Sequence, residues 1–233
     1  MEPLKTGDGS LTLHSQRYAE SYRSRHGALS EARHVFLEAS GVLERLRDGR
    51  PTSVLEVGFG TGLNFLVTAV AAGETPLDYT ALENDLPPVE ALSALGYERL
   101  LPSSRLPAEL LVWLESLGHP ATVGTHLGRF GVGIRLELVI GDAHGYDSRG
   151  RTFDAVYLDP FSPKVSPRLW TGEFLARTFA ALSPGGRLVS YSVSGEVRRA
   201  LTRAGADVRK LPGPAGGKRE MLVAQAPRDE STA

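Results

Sequence analysis

The sequence predicts an α/β protein of the open, doubly wound kind. A mostly parallel sheet should carry a C-terminal antiparallel hairpin and a small N-terminal extension. Three observations predict this. From Thr52 onward, short apolar runs alternate with helical periods, the pattern of βαβ units. A glycine-rich turn, Gly58 to Gly62, joins one such run to the helix after it. Acidic residues stand at the ends of successive runs, where a parallel sheet opens its ligand crevice.

The elements follow in order. Residues 1–25 are polar, with an alternating stretch around Leu11, Leu13 and Tyr18 that reads as an edge strand or hairpin. Ser30 reads as the N-cap of a helix in which Val35, Phe36, Leu37, Val42, Leu43 and Leu46 recur at helical spacing through Arg47. Asp48-Gly49-Arg50-Pro51 stops it. Val54 to Val57 reads as a buried strand, Leu63 to Ala72 as a helix, Leu77 to Leu82 as a strand and Pro88 to Leu95 as a helix. Leu106 to Leu117 is helical in pattern, and His119 to Gly133 reads as loop. Ile134 to Ile140 and Phe153 to Leu158 are strands. Gly172 to Leu182 is a helix ended by Ser183-Pro184-Gly185-Gly186, ahead of a strand at Leu188 to Tyr191. Gly195 to Ala204 is the last helix, and Val208 to Leu211 pairs with Met221 to Ala224. The expected division is an extension with its helix over residues 1–50 and the main domain over 51–233. Residues 96–130 suggest no function.

Composition narrows the class. Of 233 residues, 41% are hydrophobic and 23% charged, so a packed core is expected and global disorder is not. The absence of cysteine excludes disulfides, thiolate metal sites and a cysteine nucleophile, and fits a reducing cytoplasm. A net charge of −1 supplies no global basic field. No apolar run is long enough to span a bilayer, and the first ten residues hold no signal-like run. The scattered histidines have no ligand spacing, so no metal is expected.

The glycine turn reads Glu56-Val57-Gly58-Phe59-Gly60-Thr61-Gly62-Leu63-Asn64. Glycines let the backbone turn tightly and approach a ligand closely, and the helix start offers free N–H groups. A dinucleotide fingerprint needs Gly-x-Gly-x-x-Gly. Here the third glycine, Gly62, comes one place early and Leu63 holds the fingerprint position. The pattern, acid-x-Gly-x-Gly-x-Gly, resembles motif I of class I, Rossmann-like methyltransferases. That resemblance implies S-adenosylmethionine as cofactor, set against Gly58, Phe59, Gly60, Thr61, Gly62 and Asn64. Glu56 would hold its ammonium group directly or through water, whereas a pyrophosphate would be repelled by that carboxylate. Glu83, 25 residues after Gly58, ends the second strand with Asn84 beside it. An acid there accepts both ribose hydroxyls. Asp142 and Ala143 follow a later strand, where a carboxylate can accept the adenine amino group. One such acid alone is as readily a helix cap; three of them with the glycine turn outweigh that reading.

Asp159-Pro160-Phe161 follows the strand at Phe153 to Leu158, where catalysis occurs in this fold. It resembles the Asp/Asn-Pro-Pro-aromatic motif of amino methyltransferases. Methyl transfer to nitrogen needs a neutral amine aimed at the methyl group, while an alkyl ammonium has a pKa of about 10. Asp159 is suited to orient the amine and take or relay its proton. Pro160 stiffens the turn, and Phe161 can pack on a base. Orientation should supply most of the rate.

Four blocks make the match specific. They are Tyr22-Arg23-Ser24 with Gly27 and Glu31 to Leu37; Glu56 to Leu66; Asp159 to Pro163 with Pro167, Leu169, Trp170 and Thr171; and Val197-Arg198-Arg199 through Lys218-Arg219-Glu220-Met221-Leu222. Together they resemble the methyltransferase domain of bacterial tRNA 5-methylaminomethyl-2-thiouridine biosynthesis proteins, the MnmC-like methyltransferase family. The resemblance implies methylation of the 5-aminomethyl group on the wobble (2-thio)uridine, in the anticodon stem-loop of tRNA. The sequence ends at Ala233, so neither the FAD-dependent oxidase part of two-part members nor FAD itself is expected, and another enzyme would supply the aminomethyl substrate.

From Arg198 to Arg219 there are seven basic residues and one acid, Asp207, and Arg17, Arg23, Arg25 and Arg33 form a second basic run. Tyr22, Arg33, Trp170, Arg198, Arg199, Lys218 and Arg219 are the expected tRNA-binding residues, by phosphate neutralisation or stacking on an everted base. Without the family match, a solvated helix face explains such a cluster equally well. The alternative is a class I methyltransferase acting on a small-molecule or protein amine. A nicotinamide-dependent oxidoreductase conflicts with Leu63, and a non-catalytic nucleoside-binding module conflicts with the intact Asp159 motif.

Overall fold

The computed structural model describes residues 1–101, 105–217 and 219–228. Three short strands come first: β1 (Pro3–Lys5), β2 (Leu11–Ser15) and β3 (Glu20–Ser21) form a small antiparallel sheet. Helix α1 (Ala28–Glu31) runs on as a π-helix over Ala32–Glu38, and α2 (Val42–Arg47) follows a break at Gly41. The main body comprises β4 (Thr52–Val57), α3 (Leu63–Ala72), β5 (Leu77–Glu83), α4 (Val89–Ser93), α5 (Tyr97–Leu100), α6 (Leu106–Ser116), β6 (Gly124–Phe130), β7 (Ile134–Ile140) and β8 (Phe153–Leu158). After these come α7 (Gly172–Ala180), β9 (Leu182–Ser190), α8 (Gly195–Arg203), β10 (Asp207–Pro212) and β11 (Glu220–Gln225).

Eight strands make one sheet in the order β10-β11-β9-β8-β4-β5-β7-β6. The pairs β8–β4, β4–β5, β5–β7 and β8–β9 are parallel, and the two hairpins at the edges are antiparallel. This is the expected α/β architecture. Parallel strands joined by helical crossovers must be covered on both faces, and both are. Phe36, Leu66 and Leu110, from the π-helix, α3 and α6, pack with Val54, Tyr79, Leu136 and Tyr157 on one face. Phe174, Leu175 and Leu201, from α7 and α8, pack with Leu55, Val57, Val156 and Leu158 on the other.

The order reverses between β4 and β8, so the chain leaves in opposite directions after these neighbours. A crevice must open there, beyond their C-terminal ends. Val57 pairs with Leu158 in register, so Gly58 and Asp159 stand side by side at its mouth.

Four elements differ from the sequence reading. The segment read as loop contains β6, an edge strand carrying Gly124 and Gly128, whose glycines hide the alternation that marks a strand. Ser183-Pro184-Gly185-Gly186 lies inside β9, because Phe153 pairs with Leu182 and Ala155 with Arg187; the run is a bulge, not a connection. The helix read as continuous to Arg47 breaks at Gly41. Ser30 lies within α1 rather than capping it.

That helix start is satisfied from a distance. The N–H groups of Ala28 and Leu29 donate to Ser10 Oγ at 3.2 and 3.3 Å, and the Ser30 N–H donates to Asp8 Oδ2 at 2.8 Å. The loop between β1 and β2 thus caps α1 and fastens the N-terminal sheet to the body. Burial tends to raise the Asp8 pKa. Hydrogen bonds from Ser10, Ser30 and Thr6 outweigh it and hold the carboxyl below the usual range. Among the described residues, no helix is long and apolar enough to cross a membrane.

Asp8→Ala should therefore lower stability at pH 7 by about 1 kcal/mol, the usual cost of a lost cap. A carboxyl with a depressed folded pKa stabilises above its unfolded value of about 3.9, and less as pH falls below it. Thermal melts should show the gap between wild type and variant closing below pH ~4. A gap unchanged between pH 7 and strong acid would contradict this role.

Candidate active site

A cavity of about 670 Å³ occupies the crevice, a size suited to a small-molecule ligand. Gly58, Gly60, Glu83, Asn84, Asp142 and Ala143 line it together with Asp159, Pro160 and Phe161. The N-terminal hairpin adds Tyr18, Glu20, Tyr22 and Arg23.

The glycine turn shows why the chain needs glycine. Gly58 and Gly60 have φ values of 93° and 54°. A Cβ on Gly58 would sit 2.7 Å from the Asp159 carbonyl oxygen, and one on Gly60 would press on the Tyr22 ring at 3.1 Å. The first contact lets β4 and β8 deliver their ends side by side; the second leaves backbone bare at the cavity wall. Glu83 Oε2 accepts from the Gly60 N–H at 2.7 Å, and its Oε1 accepts from the N–H groups of Asn84 and Asp85, each at 2.8 Å. Burial pushes the Glu83 pKa up against these three donors. Asp142 Oδ1 accepts from the His144 N–H at 2.9 Å, and its Oδ2 accepts from Arg168 Nη1 at 2.9 Å.

Asp159 is held from beneath. Its Oδ2 is ion-paired with Arg23 Nη1 and accepts from Asn64 Nδ2 at 3.0 Å. Asn64 Nδ2 also donates to Glu56 Oε1 at 2.8 Å, Tyr79 Oη donates to Glu56 Oε2 at 3.0 Å, and Arg23 Nη2 lies 3.8 Å from Glu56. Two acids, one arginine and one amide thus form a buried cluster under the Asp159-Pro160-Phe161 turn. Burial pushes the Glu56 pKa up to about 8; Arg23 pulls it down and the Asp159 charge raises it.

The turn itself is pinned by aromatic donors. Trp170 Nε1 donates to the Phe161 carbonyl at 2.8 Å, and Tyr191 Oη donates to the Pro160 carbonyl at 2.7 Å. On the hairpin side, Glu20 accepts from both the backbone N–H and the hydroxyl of Ser162, the former at 3.0 Å. The rings of Tyr18 and Tyr22 lie 4.5 and 5.1 Å from that of Phe161.

The structure therefore divides the expected residues. Of the cofactor set, Gly58, Gly60, Glu83, Asn84, Asp142 and Ala143 line the cavity, while Glu56, Phe59, Thr61, Gly62 and Asn64 stand behind its wall. Glu56 is 0% exposed and fully engaged within the cluster, so it does not reach a ligand ammonium. Phe59 packs in the core against Phe65, Thr61 Oγ1 accepts from Tyr97 Oη at 2.7 Å, and Gly62 precedes α3 in the left-handed conformation. Among the expected tRNA contacts, Tyr22 alone lines the cavity. Trp170 is buried, since its indole serves the Phe161 carbonyl and packs on Tyr191, so it presents no face for a base. Arg33, Arg198, Arg199 and Arg219 lie outside the cavity, and Lys218 lies outside the described residues. The sequence reading missed Arg23 and Glu20. Arg23 sits in the Tyr22-Arg23-Ser24 block, but counting it with a basic run hid its burial.

These residues suit an S-adenosylmethionine-sized donor. Bare glycine backbone and two strand-end acids line the cavity, and Arg23 Nε is a buried donor without a hydrogen-bond partner among the described residues. Among those residues no group of three or more acids or histidines is placed to hold a metal.

Comparison with known proteins agrees with this geometry. Residues 121–227 match a family described as S-adenosyl-L-methionine-dependent methyltransferase. The tRNA 5-methylaminomethyl-2-thiouridine biosynthesis bifunctional protein MnmC of Azoarcus sp. (strain BH72) is 39% identical over 220 residues, 91% of this chain and 33% of that protein. The protein of the same name from Ralstonia nicotianae is 34% identical, over 93% of this chain and 33% of its own length. The chain thus spans about a third of the curated relatives it matches. The crystal structure of MNMC2 from Aquifex aeolicus superposes with a TM-score of 0.74 at 28% identity, covering 98% of this chain and 72% of that one.

Gly60→Val should weaken S-adenosylmethionine binding at least tenfold by calorimetry, because a β-branched side chain is strained at positive φ and meets Tyr22. Unchanged affinity would remove the glycine turn from the donor site.

Proposed function

The chain belongs to the S-adenosyl-L-methionine-dependent methyltransferases, and from that premise we propose that it methylates the amine of 5-aminomethyl-(2-thio)uridine at the wobble position of tRNA. The observation that carries the reading is the carboxylate of Asp159. It is delivered to the cavity wall beside Gly58, at the sheet's switch point, and clamped there by Arg23 and Asn64.

The bound cofactor supplies a methyl group on a sulfonium. Gly58, Gly60, Glu83, Asn84, Asp142 and Ala143 are the residues placed to hold it. The chain's own groups handle the acceptor. Asp159 hydrogen-bonds the incoming ammonium and takes a proton from it, leaving the nitrogen lone pair in place. Trp170 and Tyr191 hold the carbonyls of Phe161 and Pro160, so the turn after Asp159 does not drift. Phe161, Tyr18 and Tyr22 form an apolar wall suited to a pyrimidine ring. The cavity lining counts five acids (Glu20, Glu31, Glu83, Asp142 and Asp159) against three arginines (Arg23, Arg25 and Arg168), a balance that favours cationic amines and sulfoniums over phosphates.

Phosphate contacts then fall outside the cavity. Arg33 on the π-helix, Arg198 and Arg199 on α8, and Arg219 before β11 are the groups we assign to the anticodon stem-loop. His34 Nε2 lies 2.9 Å from the Pro212 carbonyl and brings the π-helix beside the β10–β11 turn. Residues 1–50 act in this reading as an extension that closes the site on the main domain. An enzyme that installs the aminomethyl group acts first, in the cytoplasm. A small-molecule or protein amine is the alternative acceptor, favoured by the absence of Arg33, Arg198, Arg199 and Arg219 from the cavity wall.

The test is transfer of labelled methyl from S-adenosylmethionine to tRNA from cells lacking this protein, followed by nucleoside analysis. Label in 5-methylaminomethyl-type uridine, with binding that weakens steeply as salt rises, is expected. Donor binding without label in tRNA would move the assignment to the alternative. Asp159→Ala should retain donor binding and lose about 100-fold or more in turnover; turnover within a few-fold of wild type would remove Asp159 from catalysis.

A further inference from the structure

A second carboxylate lines the cavity close to the Asp159 turn. Glu20, half-buried on β3, accepts from the Ser162 N–H at 3.0 Å with one oxygen and from the Ser162 hydroxyl with the other. Ser162 is the third residue after Asp159. Tyr191 stands near both acids. Its hydroxyl donates to the Pro160 carbonyl at 2.7 Å, and burial first, then the charges of Asp159, Glu20 and Glu31, push its pKa up. Each Glu20 oxygen has two lone-pair sites and gives one to Ser162, so the carboxylate is fastened to the turn and still has acceptors to offer. Ser162 is neutral, so these bonds leave the charge of Glu20 in place.

An amine awaiting methylation needs more than Asp159 alone. A primary ammonium carries three N–H bonds. One proton leaves to free the lone pair, and the other two N–H bonds need acceptors that keep the lone pair aimed at the methyl group. The carbonyls that follow Asp159 are already engaged, Pro160 by Tyr191 and Phe161 by Trp170, and they bear no charge. A cation taken from water into a cavity is held best by charged acceptors.

We propose that Glu20 is the second acceptor of the substrate ammonium, gripping it together with Asp159, and that it makes the site select a primary ammonium over a neutral group of the same size. In the step this serves, the ammonium gives one proton to Asp159. The nitrogen lone pair forms the new N–C bond as the C–S bond breaks with its electrons onto sulfur, and the product is a methylammonium. Glu20 stays ionised throughout and supplies aim and charge. The N-terminal hairpin thereby contributes a substrate-binding carboxylate as well as a wall. The role rests on the amine-methylation reading but not on tRNA as the acceptor.

The test uses two small probes on the full chain with S-adenosylhomocysteine present: benzylamine, which is an ammonium at pH 7, and benzyl alcohol, its neutral counterpart. Both suit the aromatic wall of Tyr18, Tyr22 and Phe161. Binding is followed by NMR in wild type and in Glu20→Gln, whose amide still pairs with the N–H and the hydroxyl of Ser162 but carries no charge. Wild type should prefer the ammonium by about tenfold or more, and Glu20→Gln should lose most of that preference. S-adenosylmethionine affinity should stay within about threefold, which shows that the variant is folded; should it not fold, Glu20→Ala takes its place. A wild type that does not prefer the ammonium, or a variant that keeps the preference within about twofold, would overturn the proposal. Methyl transfer to tRNA is scored separately: its failure in wild type would remove tRNA as the acceptor and leave the probe comparison to decide the role of Glu20.

Discussion

The ion pair between Arg23 and Asp159 ties the N-terminal hairpin to the end of β8. Arg23 comes from the N-terminal hairpin and Asp159 from the end of β8, and both side chains are nearly sealed from water. A buried charge without its partner costs several kcal/mol, so the hairpin does not leave the end of β8 cheaply. The hairpin's remaining contacts follow once this pair is made. Glu20 grips Ser162, Tyr18 and Tyr22 pack on Phe161, and Tyr22 covers the bare backbone at Gly60. The N-terminal hairpin is thus part of the cavity wall.

Electrostatics then separates inside from outside. The cavity collects carboxylates, a lining that favours cationic groups over phosphates. Several arginines are left on outer surfaces, where phosphate binding costs little desolvation. In the proposed reading a tRNA is held by its backbone outside, and only its modified base enters. Asp159 itself needs no unusual basicity for this; a fixed carboxylate at the right place supplies most of what amine methylation requires.

Much of the fold was legible because its signals are local. Helix α3 and β8 coincide with their apolar runs, and β7 with its alternating Ile-Arg-Leu-Glu-Leu-Val-Ile pattern, because burial on two faces or on one writes each pattern locally. β6 was not legible, because two glycines and a histidine in an edge strand carry no alternation. The bulge in β9 was hidden by Pro184, Gly185 and Gly186, which normally signal a turn. At the site, the residue types at the strand ends pointed to the crevice, and Gly58, Glu83, Asp142 and Asp159 are all there. The behaviour of Glu56 was not legible, since a carboxylate's task depends on which partner fills its lone pairs, and Arg23 comes from 33 residues upstream. Trp170 was misjudged for a related reason: an indole can stack on a base or donate its N–H to a carbonyl, and only the fold chooses between them.

The central claim, that one buried ion pair unites the N-terminal hairpin with the Asp159 turn, is tested most directly by a double-mutant cycle read by chemical denaturation. The variants are Arg23→Met, Asp159→Asn and the pair together. The account predicts strong coupling: each single change is destabilising, and the double variant falls short of their sum by about 2 kcal/mol or more. Additive losses would mean that the two side chains stabilise the protein independently, and would contradict the account.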